Sequence, residues 1–119
     1  MGAVLIVDDE YGLAEMASEL LTVVGFTVAT AVNGRLALAT LGQMRPDLIL
    51  LDVMMPIMSG PDTLRMLKDD ESLRDIPVIM MSAAGREALP EDITPLVAGF
   101  LQKPFTFDEL LVAVREHVR

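Results

Sequence analysis

The 119-residue chain contains no cysteine and no tryptophan. Disulfides, thiolate nucleophiles and cysteine-based zinc sites are therefore excluded. Histidine occurs once, as His117. There is no second imidazole to share a metal, and none is placed to activate a serine nucleophile. His117 itself reads as an exposed residue of a last helical turn. Aromatic residues make up 4% of the chain, so leucine, valine, isoleucine, alanine and nine methionines must build the core. Core filling is the simplest reading of that methionine count. Basic residues are scarce: nine Lys and Arg against 18 Asp and Glu give a formal charge of −9. Phosphate backbones are bound by basic faces, so direct nucleic-acid binding is not expected. No apolar run approaches the roughly 20 residues of a membrane span. The first apolar run is short and stops at Asp8-Asp9-Glu10, unlike a signal peptide. The expected location is the cytoplasm, with no membrane partner.

Hydrophobic residues make up 52% of the chain. That is too many for a disordered chain and enough for one buried core. Residues 1–119 read as a single domain, without internal repeat, low-complexity tract or linker. The central stretch runs from Pro46 to Gly60. Leu48-Ile49-Leu50-Leu51 is a continuous apolar run, as in a strand buried on both faces of a parallel sheet. It ends on Asp52 and breaks into a loop holding Pro56 and Gly60.

Ala3 to Val7 is a second such run and ends on Asp8-Asp9-Glu10. From Leu13 the period changes. Leu13, Met16, Ala17, Leu20, Leu21 and Val24 share a helical face, and Gly25 stops the helix. Phe26 to Ala31 is β-rich, as in a strand nearer an edge. Asn33-Gly34 marks a turn or helix start, and Leu36, Ala37, Leu38, Leu41 and Met44 give a second helix. Pro61 suits the first position of a third helix, lined by Leu64, Met66 and Leu67. Ile76 to Met81 is another apolar strand and ends on Ser82. Residues 86–98 have helical spacing broken by Pro90 and Pro95, which predicts a short distorted helix or two helical turns. Gly99 to Gln102 is a short strand ending on Lys103-Pro104-Phe105. Thr106 and Glu109 form a capping box for a last helix, with Phe107, Leu110, Leu111, Val114 and Val118 as its buried stripe. Five strand–helix units in succession imply a doubly wound α/β fold, with a parallel sheet and right-handed crossovers.

Four of the five strands end in chemically useful groups: Asp8 and Asp9, Asp52, Ser82, and Lys103. In a parallel sheet these ends share one edge, where ligands of open α/β sheets bind. Singly, each has a plain structural explanation. Asp8 and Asp9 suit a helix start, Asp52 a turn, and Lys103 a snorkelling side chain. Their coincidence at four strand ends points to one site. Gathered carboxylates repel: two charges 4 Å apart cost about 4 kcal/mol at an effective dielectric of 20. A cation must compensate, or a pKa must rise. Oxygen-only ligands select a hard ion, Mg²⁺ or Mn²⁺. With Lys103 as a second cation, Ser82 as a hydrogen-bond donor and an accessible carboxylate, the set suits phosphoryl transfer.

Val7-Asp8-Asp9-Glu10, Asp52-Val53-Met54-Met55-Pro56 with Gly60, Ser82-Ala83-Ala84 and Lys103-Pro104-Phe105 stand in one order and at specific spacings. Together they resemble the receiver (REC) domain of two-component response regulators, over essentially the whole chain. The resemblance implies a five-stranded flavodoxin-like sheet, (βα)5, of strand order 2-1-3-4-5. It implies a signalling switch, not an enzyme, in which Asp52 takes a phosphoryl group from a histidine kinase or a histidine phosphotransfer protein. Asp9 and Asp52 would ligate Mg²⁺ (or Mn²⁺) directly with the main-chain carbonyl of Met54, and Asp8 mainly through a water. Lys103 would pair with Asp52 and then with the phosphoryl group. Ser82 would be the switch hydroxyl and Phe100 the switch aromatic. Pro56, Gly60 and Pro104 would shape the loops, and the peptide before Pro104 is often cis in the family. Phosphorylation would draw in Ser82, let Phe100 turn and change the surface of the fourth helix, fifth strand and fifth helix. A downstream protein or effector domain, which the sequence does not name, would read that change as a population shift.

Met54 and Ala84 stand two residues beyond Asp52 and Ser82. In the family these positions flank the attacking water during dephosphorylation, and neither side chain here can orient one. A comparatively long-lived phosphoryl group is expected. The proline-broken segment 86–98 falls on the expected output face. An alternative reading is a pseudo-receiver, a phosphorylation-independent protein-binding module; such modules typically lose the acidic pair, the acceptor or the lysine, and all are present here. A phosphohydrolase of the haloacid-dehalogenase type wants an Asp where Met54 stands. A flavodoxin needs a phosphate-cradling loop where Asp8-Asp9-Glu10 stands. A short strand needs a packed aromatic at Phe100 in any case. The chain reads as a stand-alone receiver, or as one excised from a larger regulator or hybrid kinase.

Overall fold

The computed structural model describes residues 2–118. The chain runs β1 (Ala3–Val7), α1 (Tyr11–Val23), β2 (Thr27–Ala31), α2 (Gly34–Leu41), β3 (Leu48–Asp52), α3 (Gly60–Asp69) and β4 (Val78–Ser82). Two 3₁₀ turns (Arg86–Ala88 and Thr94–Leu96), β5 (Gly99–Gln102) and α4 (Phe107–His117) complete it. All strand pairings are parallel, in the order β2-β1-β3-β4-β5. This is the doubly wound, flavodoxin-like sheet expected from the sequence. The fourth connection holds two 3₁₀ turns in place of an α-helix. Pro90 and Pro95 each remove a backbone donor and fix φ, so a continuous helix cannot form there.

Alternation along the strands divides the core into two. Leu5, Val7, Ile49, Leu51, Val78 and Met80 face one side, under Ala37 and Leu41 of α2, Leu64 and Leu67 of α3, and Leu89, Ile93 and Val97. Val4, Ile6, Leu48, Leu50, Ile79 and Met81 face the other, under Ala14, Ala17 and Leu21 of α1 and Leu110 and Val114 of α4. Every residue of β3 and β4 is buried, which is why those strands read as unbroken apolar runs. The edge strand β2 is only partly covered.

The helix ends follow local chemistry. Asn33 caps α2, accepting from Leu36 N at 2.9 Å. Ser59 caps α3, accepting from Asp62 N at 3.2 Å. Thr106 and Glu109 close the expected capping box, at 3.1 and 2.9 Å. Gly25 follows α1 with φ 111°, a conformation open to glycine and strained for other residues.

Some expected faces are corrected. Met16, Leu36 and Met66 are about half exposed, not buried. In α1 the sheet contact is made by Ala14, Ala17 and Leu21. Met44 falls beyond the end of α2, and Phe26, Ile76 and Pro77 precede their strands. His117 is half-buried rather than exposed. Its ring nitrogens lie 2.8 Å from Ala113 O and 3.2 Å from Ala98 O, fastening α4 to the start of β5.

Candidate functional site

The strand order reverses direction between β1 and β3, and ligands of open α/β sheets bind at such a point. Asp8 follows β1 and Asp52 ends β3, on adjacent paired strands. Both side chains are nearly inaccessible. Lys103, just past β5, reaches across from the far side of the sheet. Its Nζ donates to Asp8 Oδ2 at 2.9 Å and Glu10 Oε1 at 2.8 Å, and lies 3.2 Å from Asp52 Oδ1. Lys103 N donates to Ser82 O at 2.8 Å, so the main chain carrying the lysine is pinned to the end of β4. The Lys103–Pro104 peptide is cis.

The loop after β3 is built around a close approach. Gly60 N donates to Val53 O at 2.9 Å. A Cβ on Gly60 would stand 2.2 Å from Asp52 O and 2.9 Å from Val53 Cα. Only glycine fits there, and the loop is thereby held against the strand end that carries Asp52. Met58 N donates to Pro56 O at 2.7 Å. Between them Ile57 adopts φ 70°, an uncommon conformation for a β-branched residue.

Charge in this site is strongly perturbed. Burial, and then the charge of Asp8, push the Asp52 carboxyl up to about 6, against the opposing pull of Lys103. Burial alone would lower Lys103. Its hydrogen bonds to Glu10 and Asp8, with the charges of Asp8 and Asp52, outweigh burial and hold the ammonium above the usual lysine range. Oxygens of Asp8, Glu10 and Asp52 lie within 4.8 Å of one another. Three carboxylates and one ammonium leave this cluster formally two charges negative. The donors are all oxygen, so the cluster has the chemistry and the charge deficit of a site for a hard divalent cation.

The structure brings Asp8, Asp52 and Lys103 together. Ser82 ends β4 next to them in the sheet; it is buried, and its Oγ accepts from Ala84 N at 3.1 Å. Asp9 is not in the cluster. It is exposed and lines a cleft with Val53, Met54, Met55, Pro56 and Ser59. Its charge is still felt at Asp52, whose proton affinity it raises. Met54 is 79% exposed. Phe100 is half-buried against the core beneath residues 86–98. Glu10 carries no role in the sequence reading, yet it holds Lys103. The available signal was a third consecutive acid at a strand end that must face a lysine.

The family model described as the response regulator receiver domain matches residues 4–115. The probable transcriptional regulatory protein TcrX of Mycobacterium tuberculosis is 39% identical over 98% of this chain and 49% of its own length. The chain thus spans about half of that relative. Protein PilG of Pseudomonas aeruginosa is 35% identical over 97% of this chain and 86% of its own. Among solved structures, the chemotaxis protein CheY4 of Vibrio cholerae superposes with a TM-score of 0.89 at 31% identity, over 99% of each chain. The response regulator TrrA of Thermotoga maritima, solved in complex with Mg²⁺-BeF, gives 0.86 at 29% identity, over 99% of this chain and 100% of that one. Fold, strand-end chemistry and these likenesses agree: the chain belongs to the receiver domain family of response regulators.

Proposed function

We propose that this domain is a phosphorylation-activated switch, with Asp52 as the phosphoryl acceptor. The observation that carries the reading is the lysine. A buried carboxylate at the end of the central strand stands 3.2 Å from a nearly buried ammonium, inside an oxygen-only cluster that lacks two positive charges. The donor is a phosphohistidine of a kinase or phosphotransfer protein. A carboxylate oxygen of Asp52 attacks phosphorus. The new O–P bond forms as the P–N bond breaks, and the electron pair leaves with the imidazole nitrogen, which takes a proton. Lys103 follows the developing charge on the phosphoryl oxygens. Asp9, Asp52 and the Met54 carbonyl would hold Mg²⁺ or Mn²⁺ directly and Asp8 mainly through a water, and the ion would supply neutralisation of phosphoryl charge. Asp52 carries one phosphoryl group until water removes it, so the domain is a stoichiometric acceptor that assists its own phosphorylation and dephosphorylation and not a classical enzyme.

Ser82 supports the switching step. Its Oγ accepts from Ala84 N and keeps its own hydrogen to donate to a phosphoryl oxygen. That movement loosens the packing around Phe100. The surface of segment 86–98, β5 and α4 then differs between the two states, and a partner protein or effector domain that prefers one state shifts the balance. The test is intact mass after incubation with a small phosphodonor, with and without Mg²⁺. A gain of one phosphoryl group that needs Mg²⁺ and is lost in Asp52→Asn supports the reading. No gain in any condition, with Mg²⁺ binding shown separately, favours a protein-binding module that works without phosphorylation.

A further inference from the structure

Glu10 makes the shortest of the three contacts to the lysine. Lys103 Nζ stands 2.8 Å from Glu10, 2.9 Å from Asp8 and 3.2 Å from Asp52. The ammonium is thus shared among the same three carboxylates whose oxygens cluster within 4.8 Å. Any cation that binds Asp8 and Asp52 is repelled by that ammonium and competes with it for their oxygens. The partners differ in depth. The side chains of Asp8 and Asp52 are 0% and 6% exposed, whereas that of Glu10 is 61% exposed. Glu10 therefore offers Lys103 a place at the rim. Its backbone is fixed there: its N–H donates to Asp8 Oδ1 at 2.8 Å, and its carbonyl accepts from Ala14 N at 3.0 Å. Although Glu10 is the N-cap of α1, its side chain makes no capping bond. The carboxylate is directed at the lysine instead.

We propose that Glu10 is a positioning residue that draws Lys103 toward the rim of the cluster and so leaves oxygens of Asp8 and Asp52 open to a divalent cation. The inference rests on the metal-assisted acceptor reading of this site. Without Glu10 the lysine settles on Asp8 and Asp52, and an incoming cation must displace it. The effect acts through Lys103 and disappears when the lysine is removed.

The test is calorimetric Mg²⁺ titration of the full chain, with no phosphodonor, arranged as a double-mutant cycle of Glu10→Gln and Lys103→Met. With the lysine present, Glu10→Gln weakens Mg²⁺ binding by about two- to fivefold, the range of a partly solvated ion pair. In the Lys103→Met background the same substitution changes affinity by less than half as much on a logarithmic scale. Glu10→Asp, which keeps the charge, recovers part of the loss. Melting in chelator checks that each variant is folded, and Lys103→Gln replaces Lys103→Met if that one is not. An equal loss in both backgrounds means that Glu10 acts on the cation directly and overturns the proposal. Unchanged or tighter binding in Glu10→Gln overturns it as well. Absence of Mg²⁺ binding by the unmodified chain overturns the metal reading and this inference together. Binding that is indifferent to Glu10 overturns the inference alone.

Discussion

Asp52→Asn should stabilise the metal-free protein, although it removes the proposed functional group. Asparagine has the shape of the protonated aspartate and none of its charge. Asp52 ionises at about 6 in the folded chain, against an ordinary 3.8. The folded state therefore binds the proton more tightly than the unfolded state. Between those two values the unfolded chain has lost its proton while the folded chain retains it, so stability falls as pH rises through the window. The gap is roughly two pH units, and at about 1.4 kcal/mol per unit the ionised carboxylate costs up to about 3 kcal/mol above pH 6. The asparagine variant escapes that cost, while Lys103 keeps Asp8 and Glu10 as partners. In urea denaturation with chelator, the variant should be more stable by about 2–3 kcal/mol at pH 8, and the gain should fade toward pH 4. In melting terms the gain at pH 8 is about 8–12 °C. Adding Mg²⁺ should narrow the gap, because the unmodified chain binds the ion more tightly. A gain that is absent at pH 8, or equally large at pH 4, would refute the claim that buried charge on Asp52 is what the site must offset.

Other perturbations follow from the same geometry. Gly60→Ala forces a Cβ into the Asp52 carbonyl. It should cost about 1–3 kcal/mol in urea denaturation and also weaken Mg²⁺ binding, because the strand end must shift. Leu50→Ala empties a fully buried site between the sheet and the α1–α4 layer, at a cost of about 2–5 kcal/mol in the same assay. Met54 is exposed and cannot position a water, so Met54→Glu should shorten the phosphoryl lifetime severalfold with little change in melting. An unchanged lifetime would show that water access is controlled elsewhere.

The centre of the sheet was legible because the runs of β1, β3 and β4 are short, apolar and closed by polar groups. Leu48 to Leu51 and Val4 to Val7 could hardly be anything but buried. The ends of those runs located Asp8, Asp52, Ser82 and Lys103 without any structural knowledge, since a parallel sheet places all its carboxyl ends on one edge. Helix faces were harder. Ala17 and Leu21 of the expected α1 face are buried, but Met16 is exposed and Ala14, absent from that face, is buried in its place. Periodicity alone does not separate Ala14 from Met16 at the margin of that face. The partition of Asp8, Asp9 and Glu10 was also hidden. Consecutive residues leaving a strand point in different directions, and one of them lies inward, one outward and one against a lysine 93 positions away in sequence. Pro90 and Pro95 were readable as breakers, and segment 86–98 forms two 3₁₀ turns, one before Pro90 and one containing Pro95, in place of an α-helix.

The most direct measurement is the location of the phosphoryl group. The chain, incubated with a small phosphodonor and Mg²⁺, is reduced with borohydride, which converts an aspartyl phosphate to homoserine, and the peptides are sequenced by mass spectrometry. The account predicts homoserine at position 52 alone, dependent on Mg²⁺ and absent when the donor is left out. Homoserine at Asp8, Asp9 or another acidic position, with Asp52 intact, would contradict it.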